Sequence, residues 1–217
     1  LSNFMNVELS AFYFDIRKDA LYCDAPSAIR RRACRTVLDH LFSCLTAWLA
    51  PVLCFTVEEV WLSRFPSETD SVHLRTFPEI PAEWRNEALS EKWKKVRELR
   101  RVVTGALEVE RREKRIGASL EAAPEVFVSR PDLMEAMKGV DLAEIAITSQ
   151  AKLTEGEGPA DAWRLDDVPG VAVVPKLAEG RKCARSWRIL PEVGSDPDYP
   201  DLSLRDAAAV REYDAQR

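Results

Sequence analysis

The stretch LEVERREKRIGASLEAA (Leu107–Ala123) decides how the chain is divided, because a helical pattern ends inside it and the periodicity changes after Pro124. It carries four cations within five residues, namely Arg111, Arg112, Lys114 and Arg115. Basic side chains in a last helical turn face the negative end of the helix dipole, and glycine commonly takes the left-handed position that ends a helix. The stretch therefore predicts a long helix that closes near Ile116 and ends at Gly117.

Upstream of this stretch, the spacing of apolar residues predicts further helices. Residues 2–22 are apolar around much of a helix. A second helix starts with Ser27 as its N-cap and is kinked or ended by Pro51. Thr56 and Glu59 form a capping box for a shorter helix. These helices predict an antiparallel bundle.

The core-facing positions of the second helix follow from steps of three and four residues. They are Val37, Leu38, Leu41, Phe42, Leu45, Trp48, Leu49, Val52 and Leu53. The Pro-rich residues 66–89 are irregular and connect to the long basic helix. That helix turns Trp93, Val96, Leu99, Val103 and Leu107 inward.

Downstream, alternating apolar residues predict strands at EVFVS (125–129), EIAITS (144–149) and VAVVP (171–175), with a helix opened by Pro131. A short helix is expected near 204–213. The predicted fold class is α+β: mainly an α-helical bundle, followed by a small α/β unit and a loop-rich tail. The corresponding domain ranges are 1–123, 124–180 and 181–217.

Composition limits the classes of protein. The longest apolar run is interrupted by Pro51 and is shorter than the ~20 residues that span a bilayer, so no membrane association is expected. Five cysteines, four of them in or beside apolar helical sequence, favour reduced thiols and a cytoplasmic location. Because the first residue is Leu, we expect a piece of a longer protein.

Charge gives a mixed signal about nucleic acid. The net charge of −5 is unlike the basic domains that usually bind it. Between Lys92 and Arg115, however, ten cations face four anions. Such long cations either cover apolar surface with their stems or bind phosphates, and spacing alone does not choose between these roles.

Signs of catalysis are sparse. The two histidines, His40 and His73, are interpreted as structural, and no phosphate-binding or nucleophile motif occurs. No activated nucleophile or acid–base pair can be nominated, which leaves a free-standing enzyme as the weakest hypothesis.

Several segments together resemble the region that follows the catalytic core of bacterial isoleucyl-tRNA synthetases. They are LSAFYFDIRKDALY (9–22), the block 38–61, REKRIGASLEA (112–122), LAEIAITS (142–149) and KCARSWRILPEVG (182–194). The resemblance covers essentially the whole chain. It implies a helical bundle that binds the tRNA anticodon stem and loop, a small α/β unit, and a zinc-bearing finger at the end.

The resemblance also implies what the chain would not do. The HIGH and KMSKS signatures of class I synthetases are absent, so ATP-dependent aminoacylation would belong to a catalytic core outside this segment, which is expected to be inactive alone. The implied partners are isoleucine tRNA and that core of the same chain. The candidate tRNA-binding residues are Arg111, Arg112, Lys114, Arg115, Lys182, Arg185, Trp187 and Arg188.

The finger departs from the family pattern of two C-x-x-C pairs. Cys183 and Ser186 stand at the first pair, and Ser203 and Asp206 stand at the second. Because serine is a weak zinc ligand, we expect no zinc, and no other cofactor in this segment. Packing of Trp187 and nearby apolar residues would hold the tail instead. Trp187 is either a base-stacking residue or a buried anchor.

Two alternatives to the tRNA-binding hypothesis remain at this point. A helical protein-interaction module would suit the acidic net charge. The equivalent region of a valyl- or leucyl-type synthetase would share the bundle, although such relatives are not expected to end in K-C-x-x-x-W.

Overall fold

The computed structural model describes residues 1–216. Within them, π-helical turns at Phe4–Phe14 lead into the first α-helix. The α-helices are α1 (Asp15–Cys23), α2 (Ile29–Leu49), α3 (Cys54–Arg64), α4 (Glu87–Arg112), α5 (Pro131–Met137), α6 (Leu142–Ala146) and α7 (Leu204–Ala215). The strands are β1 (Glu125–Val128), β2 (Lys152–Glu155), β3 (Val171–Val174), β4 (Arg181–Lys182) and β5 (Ile189–Leu190). The coarse α+β class is therefore confirmed.

The chain forms two compact units. One contains Leu1–Pro26 together with Glu87–Arg217, and the other contains Ser27–Asn86. The predicted antiparallel bundle and the ranges 1–123, 124–180 and 181–217 stay predictions.

The larger unit is built around the apolar face of α4. Val96, Leu99, Val103 and Leu107 are at most 2% exposed, and Trp93 packs beside them, as the sequence pattern predicted. They share one core with the valines of β1 and β3 and with Leu133 of α5. Burying such side chains supplies most of the stability of a fold of this size. The helix that carries the basic end is thereby fixed on the sheet.

A three-stranded sheet lies in this unit, with strand order β2-β1-β3. Strand β1 pairs in parallel with β2 and antiparallel with β3. The parallel pair requires a crossover, which α5 and α6 provide. A separate two-stranded ladder joins β4 and β5 in the tail.

Gly105 lies in the middle of α4 where the indole of Trp163 approaches the helix. A Cβ atom at this position would stand 2.4 Å from Cη2 of Trp163. Trp163 is held there by a pair of 2.9 Å backbone hydrogen bonds with Val173 of β3. Only glycine leaves room for this contact.

The smaller unit contains α2, α3 and two short 3₁₀ turns, Val72–Leu74 and Ala82–Trp84. Its apolar cluster consists of Ala50, Val57, Trp61 and Val72, with Phe42, Leu49 and Leu62 packed against them. Glu58 ties the connection to α3, because its Oε2 accepts 2.9 Å hydrogen bonds from Ser71 Oγ and from the Val72 backbone.

The segment EIAITS was wrongly predicted as a strand. It contributes to helix α6, because the Asp141 carboxylate accepts hydrogen bonds from the backbone of Ala143 at 2.9 Å and Glu144 at 3.3 Å and so starts a helix. The helix stops at Ile147, which takes a left-handed conformation with φ of 57°. Strand β2 follows at 152–155 instead. The other elements predicted downstream, β1, α5, β3 and α7, are confirmed.

Predictions of helix ends and faces in the smaller unit were less accurate. Helix α2 has Ala28 rather than Ser27 at its N-cap, and α3 starts at Cys54, before the predicted capping box, without a side-chain cap. Val52 and Leu53 are 75% and 46% exposed, because α2 ends at Leu49 and the helical spacing stops there. Val37 is also exposed, at 42%.

None of the helices among the described residues is both long enough and apolar enough to cross a bilayer.

Candidate nucleic-acid interface

Helix α4 ends in a tight hydrogen-bonded turn. The backbone N–H of Arg115 donates to the Glu110 carbonyl at 2.9 Å, and that of Lys114 donates to the Arg111 carbonyl at 3.0 Å. These two bonds define a Schellman motif, in which one residue must be left-handed. That residue is Lys114, with φ of 60°, and not Gly117 as predicted. The chain closes earlier because Ile116 is buried in the core directly after the turn.

Two of the four predicted cations at this helix end are paired with carboxylates of the same chain. Arg115 donates to both Glu110 oxygens at 2.6 Å and also contacts Glu113. The hydrogen bond from Arg115 holds the pKa of Glu110 below its usual value. Arg111 contacts Glu108 and donates to Ser119 Oγ at 2.8 Å. Both guanidinium groups are thus shared with local anions or hydroxyls.

The other two cations differ from this pair. Arg112 and Lys114 are exposed, and within residues 1–216 their side chains make no ion pair. Their charge is available to an external anion without breaking a contact.

In the tail, the ladder of β4 and β5 encloses a short turn that presents Trp187. The Cys183 N–H donates to the Arg188 carbonyl at 2.8 Å, and the Trp187 N–H donates to the Cys183 carbonyl at 3.0 Å. Trp187 is left-handed, with φ of 63°, and its side chain is 62% exposed. The Lys182 Nζ lies 5.5 Å from the centroid of its ring. The structure therefore presents an exposed indole with a cation over its face, and a buried anchor is the wrong interpretation of Trp187.

The arginines on either side of Trp187 point into the protein. Arg185 donates to the carbonyls of Tyr22, at 2.8 Å, and Cys23, both in the last turn of α1. A cation at that position also meets the negative end of the helix dipole. Arg188 donates to the Ser149 carbonyl, from Nε at 3.1 Å. Their predicted role in RNA contact stays a prediction.

Ser149 connects the two predicted regions. It is fully buried, and its N–H donates to the Ala122 carbonyl at 3.1 Å, while its Oγ donates to the Leu120 carbonyl. The same Oγ accepts a 2.6 Å hydrogen bond from the Ile189 N–H. Sequence reasoning missed this role, because Ser149 was assigned to a strand.

Tyr22 was also missed as a candidate. Tyr22 is 72% exposed, and its backbone carbonyl accepts a hydrogen bond from Arg185 in the tail turn. An aromatic residue in the last helical turn before the break at Asp24 and Pro26 is the sequence signal that could have found it.

The tail contains a buried polar centre around the Asp206 carboxylate. Asp206 Oδ2 accepts from Cys183 Sγ at 3.1 Å, from Ser186 Oγ at 2.7 Å and from Ser203 Oγ at 2.8 Å. Burial alone would raise the pKa of Asp206, but the hydrogen bonds from Ser186 and Cys183 outweigh it, and the pKa lies below its usual value. Asp206 is consequently ionised at neutral pH.

These four side chains stand where the two C-x-x-C pairs of the family pattern would place the metal ligands. A thiol, two hydroxyls and one carboxylate are a poor set for zinc, which favours thiolate and imidazole. The described residues contain no group of three or more His, Cys, Asp or Glu side chains arranged to hold a metal ion. The prediction that no zinc binds rests on the chemistry of this donor set.

Comparison with known proteins identifies the family. Residues 1–126 match the family model described as the anticodon-binding domain of tRNA ligase. The isoleucine–tRNA ligase of Agrobacterium fabrum strain C58 is 65% identical over 215 residues, which is 99% of this chain and 22% of the relative. That of Brucella abortus strain 2308 is 58% identical over the same shares. That of Bartonella henselae is 59% identical over 212 residues, or 98% of this chain and 22% of the relative.

The chain thus spans about a fifth, 22%, of the length of these relatives. More than half of it is covered by the family model, and the matched residues include α4 with its basic end. The chain therefore belongs to the family of anticodon-binding domains of tRNA ligases.

Proposed function

We propose that this chain binds the anticodon stem and loop of a tRNA as part of an isoleucine–tRNA ligase. The observation that carries the proposal is the match of residues 1–126 to the anticodon-binding domain. The isoleucine specificity rests on the names of the relatives that are 58–65% identical along the chain. ATP-dependent aminoacylation belongs to a catalytic core of the same protein, outside this segment, and the setting is the cytoplasm.

The exposed Trp187 is the proposed contact to an unpaired base. Single-stranded RNA is recognised by stacking bases on aromatic side chains and by hydrogen bonds to base edges. Trp187 offers an indole that is 62% exposed, and Lys182 beside it supplies a charge for the neighbouring phosphate. Arg185 and Arg188 contribute by holding this turn to the rest of the unit.

The end of α4 is the proposed contact to the phosphate backbone. Arg112 and Lys114 carry the larger part, because they are exposed and without ion pairs in the described chain. Arg111 and Arg115 would first have to exchange a carboxylate for a phosphate, so their gain on binding is smaller.

Binding of isoleucine tRNA measured at two salt concentrations tests the proposal. We expect Trp187→Ala to lower affinity about tenfold or more, the range for loss of one base–aromatic stack, at either salt concentration. Tyr213→Ala is the matched control, since Tyr213 is also an exposed aromatic residue, at 49%, but lies on α7, outside the turn that carries Trp187 and outside residues 1–126. A tRNA whose anticodon bases are exchanged should bind the wild-type chain more weakly.

Two outcomes would contradict the proposal. Equal binding of all tRNAs, anticodon-exchanged ones included, would show non-specific electrostatic association. Equal affinities of Trp187→Ala and Tyr213→Ala would show that the tail turn does not contact the RNA.

A further inference from the structure

The Asp206 carboxylate is the common acceptor of two turns that approach each other in the tail. Cys183 and Ser186 belong to the turn between β4 and β5, and Ser203 is the N-cap of α7. Cys183 and Asp206 are completely buried and Ser203 is 1% exposed. Residues paired at i and i+3 in two facing turns are the arrangement that places four ligands around one tetrahedral point.

Here the Asp206 carboxylate holds the two turns together, as a metal ion does in turns with this spacing of ligands. The Cys183 thiol and both serine hydroxyls donate hydrogen bonds to the same oxygen, Oδ2 of Asp206. The second oxygen, Oδ1, accepts from Arg185 at 3.1 Å and from Arg205 at 3.3 Å. A buried carboxylate is stable only when it is hydrogen-bonded and paired in this way.

The hydrogen bonds of Asp206 converge on the residues just before Trp187. Arg185 and Ser186 precede it directly, and the Cys183 carbonyl accepts its N–H at 3.0 Å. The left-handed backbone conformation of Trp187 costs free energy, and it persists only where surrounding contacts hold the backbone in place. The buried Asp206 carboxylate supplies such contacts by accepting hydrogen bonds from Arg185 and Ser186.

Arg205 and Arg185 extend the same centre to helix α1. Arg205 Nη2 donates to Asp19 Oδ1 at 3.0 Å, and Arg205 Nη1 lies 3.6 Å from Asp24 Oδ1. Arg185 binds the last carbonyls of α1. The turn is consequently fixed in direction relative to the body of the larger unit.

We propose that Asp206 is a positioning residue for anticodon recognition: its buried carboxylate replaces a metal ion as the organiser of the tail and sets the orientation of Trp187. The claim that Trp187 recognises the anticodon rests on the proposed function above. The claim that Asp206 orders the turn does not depend on it.

The first readout is independent of RNA. In the 217-residue chain we expect Asp206→Asn to speed amide hydrogen exchange at Cys183 and Trp187 by at least about tenfold, because one loosened anchor opens the turn. Amides of β1 and β3 should keep their exchange rates. Asp201→Asn is the matched control: it removes the same charge in the same segment, but its side chain is 75% exposed. Ser186→Ala, which leaves Asp206 with its other partners, should show a smaller effect in the same direction.

The second readout is a mutant cycle in RNA affinity. Asp206→Asn should lower affinity nearly as much as Trp187→Ala and should add little in the Trp187→Ala background, because the two changes disable one contact. Additive losses would show a merely structural role and overturn the positioning of Trp187. If Trp187→Ala itself has no effect on affinity, the proposed function fails, while the exchange rates still decide the role of Asp206 in the turn.

The third readout tests whether a metal ion can replace the hydrogen-bonding centre at Asp206. The triple variant Ser186→Cys/Ser203→Cys/Asp206→Cys gives four thiols, which should bind about one equivalent of zinc and return the turn amides to slow exchange only when zinc is present. A triple variant that binds no zinc, or that binds it with the turn still open, would overturn the shared centre. So would a wild-type chain that carries one equivalent of zinc and loses slow exchange on chelation.

Discussion

At the end of α4 and in the tail turn, arginines stand close to carboxylates, yet the two regions use them differently. Arg115 at the helix end pairs with Glu110 at the surface, and its side chain is 51% exposed. Arg185 in the tail donates to two backbone carbonyls of α1 and to a buried carboxylate, and it is 28% exposed. The contrast shows that clustered cations in a sequence divide into those that pair at the surface and those that hold buried parts of the fold together.

The largest difference should appear in stability. Arg185→Ala removes three hydrogen bonds and weakens the pairing of Asp206, so we expect unfolding to require about 2–4 kcal/mol less. Arg115→Ala removes only ion pairs at the surface, with Glu110 and Glu113, so its loss of stability should be much smaller. Urea unfolding of the two variants, followed by circular dichroism, measures both values. Equal losses would remove the distinction between the two regions.

The next effect concerns salt. Replacing Arg112 and Lys114 together by Gln should flatten the dependence of log affinity for tRNA on log salt by about 1.4–1.8, since each lost phosphate contact contributes about 0.7–0.9. The matched double replacement of Arg111 and Arg115 should change the slope less, because these cations already have partners. If the two double variants gave the same slope, the ion pairs seen at the helix end would not restrict RNA contact.

A smaller effect is expected from the left-handed residue that ends α4. Lys114→Gly should raise the free energy of unfolding by about 1 kcal/mol, because a side chain at positive φ is strained and glycine is not. The same change removes one exposed cation, so stability should rise while affinity for tRNA falls. A variant that gains no stability would show that Lys114 is not strained at φ of 60°.

The smallest effect is a pH dependence at Glu110. Its pKa is lowered chiefly by the hydrogen bond from Arg115, so the ionised form is favoured in the folded chain. This contribution is present above the ordinary carboxyl pKa and is lost as the pH falls through the lowered value. Glu110→Gln should therefore lower stability by a few tenths of a kcal/mol near neutral pH, and the loss should shrink as the pH falls through the lowered pKa of Glu110. Thermal unfolding of both chains between about pH 7 and pH 3 tests this, and parallel curves would contradict it.

Features with a strong periodic signal could be predicted from the sequence. The inward face of α4 repeats over many turns, so Val96, Leu99, Val103 and Leu107 were identified without the structure. Short elements were less predictable. The segment 144–149 alternates like a strand, but a single hydrogen-bonding side chain, Asp141, turned its first part into a helix.

The candidate site shows the same division. Composition found the cations and Trp187, because their types and density are local properties of the sequence. Composition did not tell which guanidinium groups point inward. For Arg185 that depends on the carbonyl of Cys23 in α1, which is 162 residues away in the chain. The convergence of Cys183, Ser186 and Ser203 on Asp206 likewise exists only after the tail has folded against itself.

Gly105 has a consequence for anyone who would engineer this chain. A glycine inside a 26-residue helix is the residue that a propensity scale first replaces, since alanine is better by about 1 kcal/mol in a helix interior. Here the gain would be reversed, because the new methyl group would meet the rigid indole of Trp163 at 2.4 Å. Trp163 would have to leave, and its backbone pairing with β3 would go with it. The distance between α4 and this edge of the sheet therefore depends on the absence of a side chain at position 105.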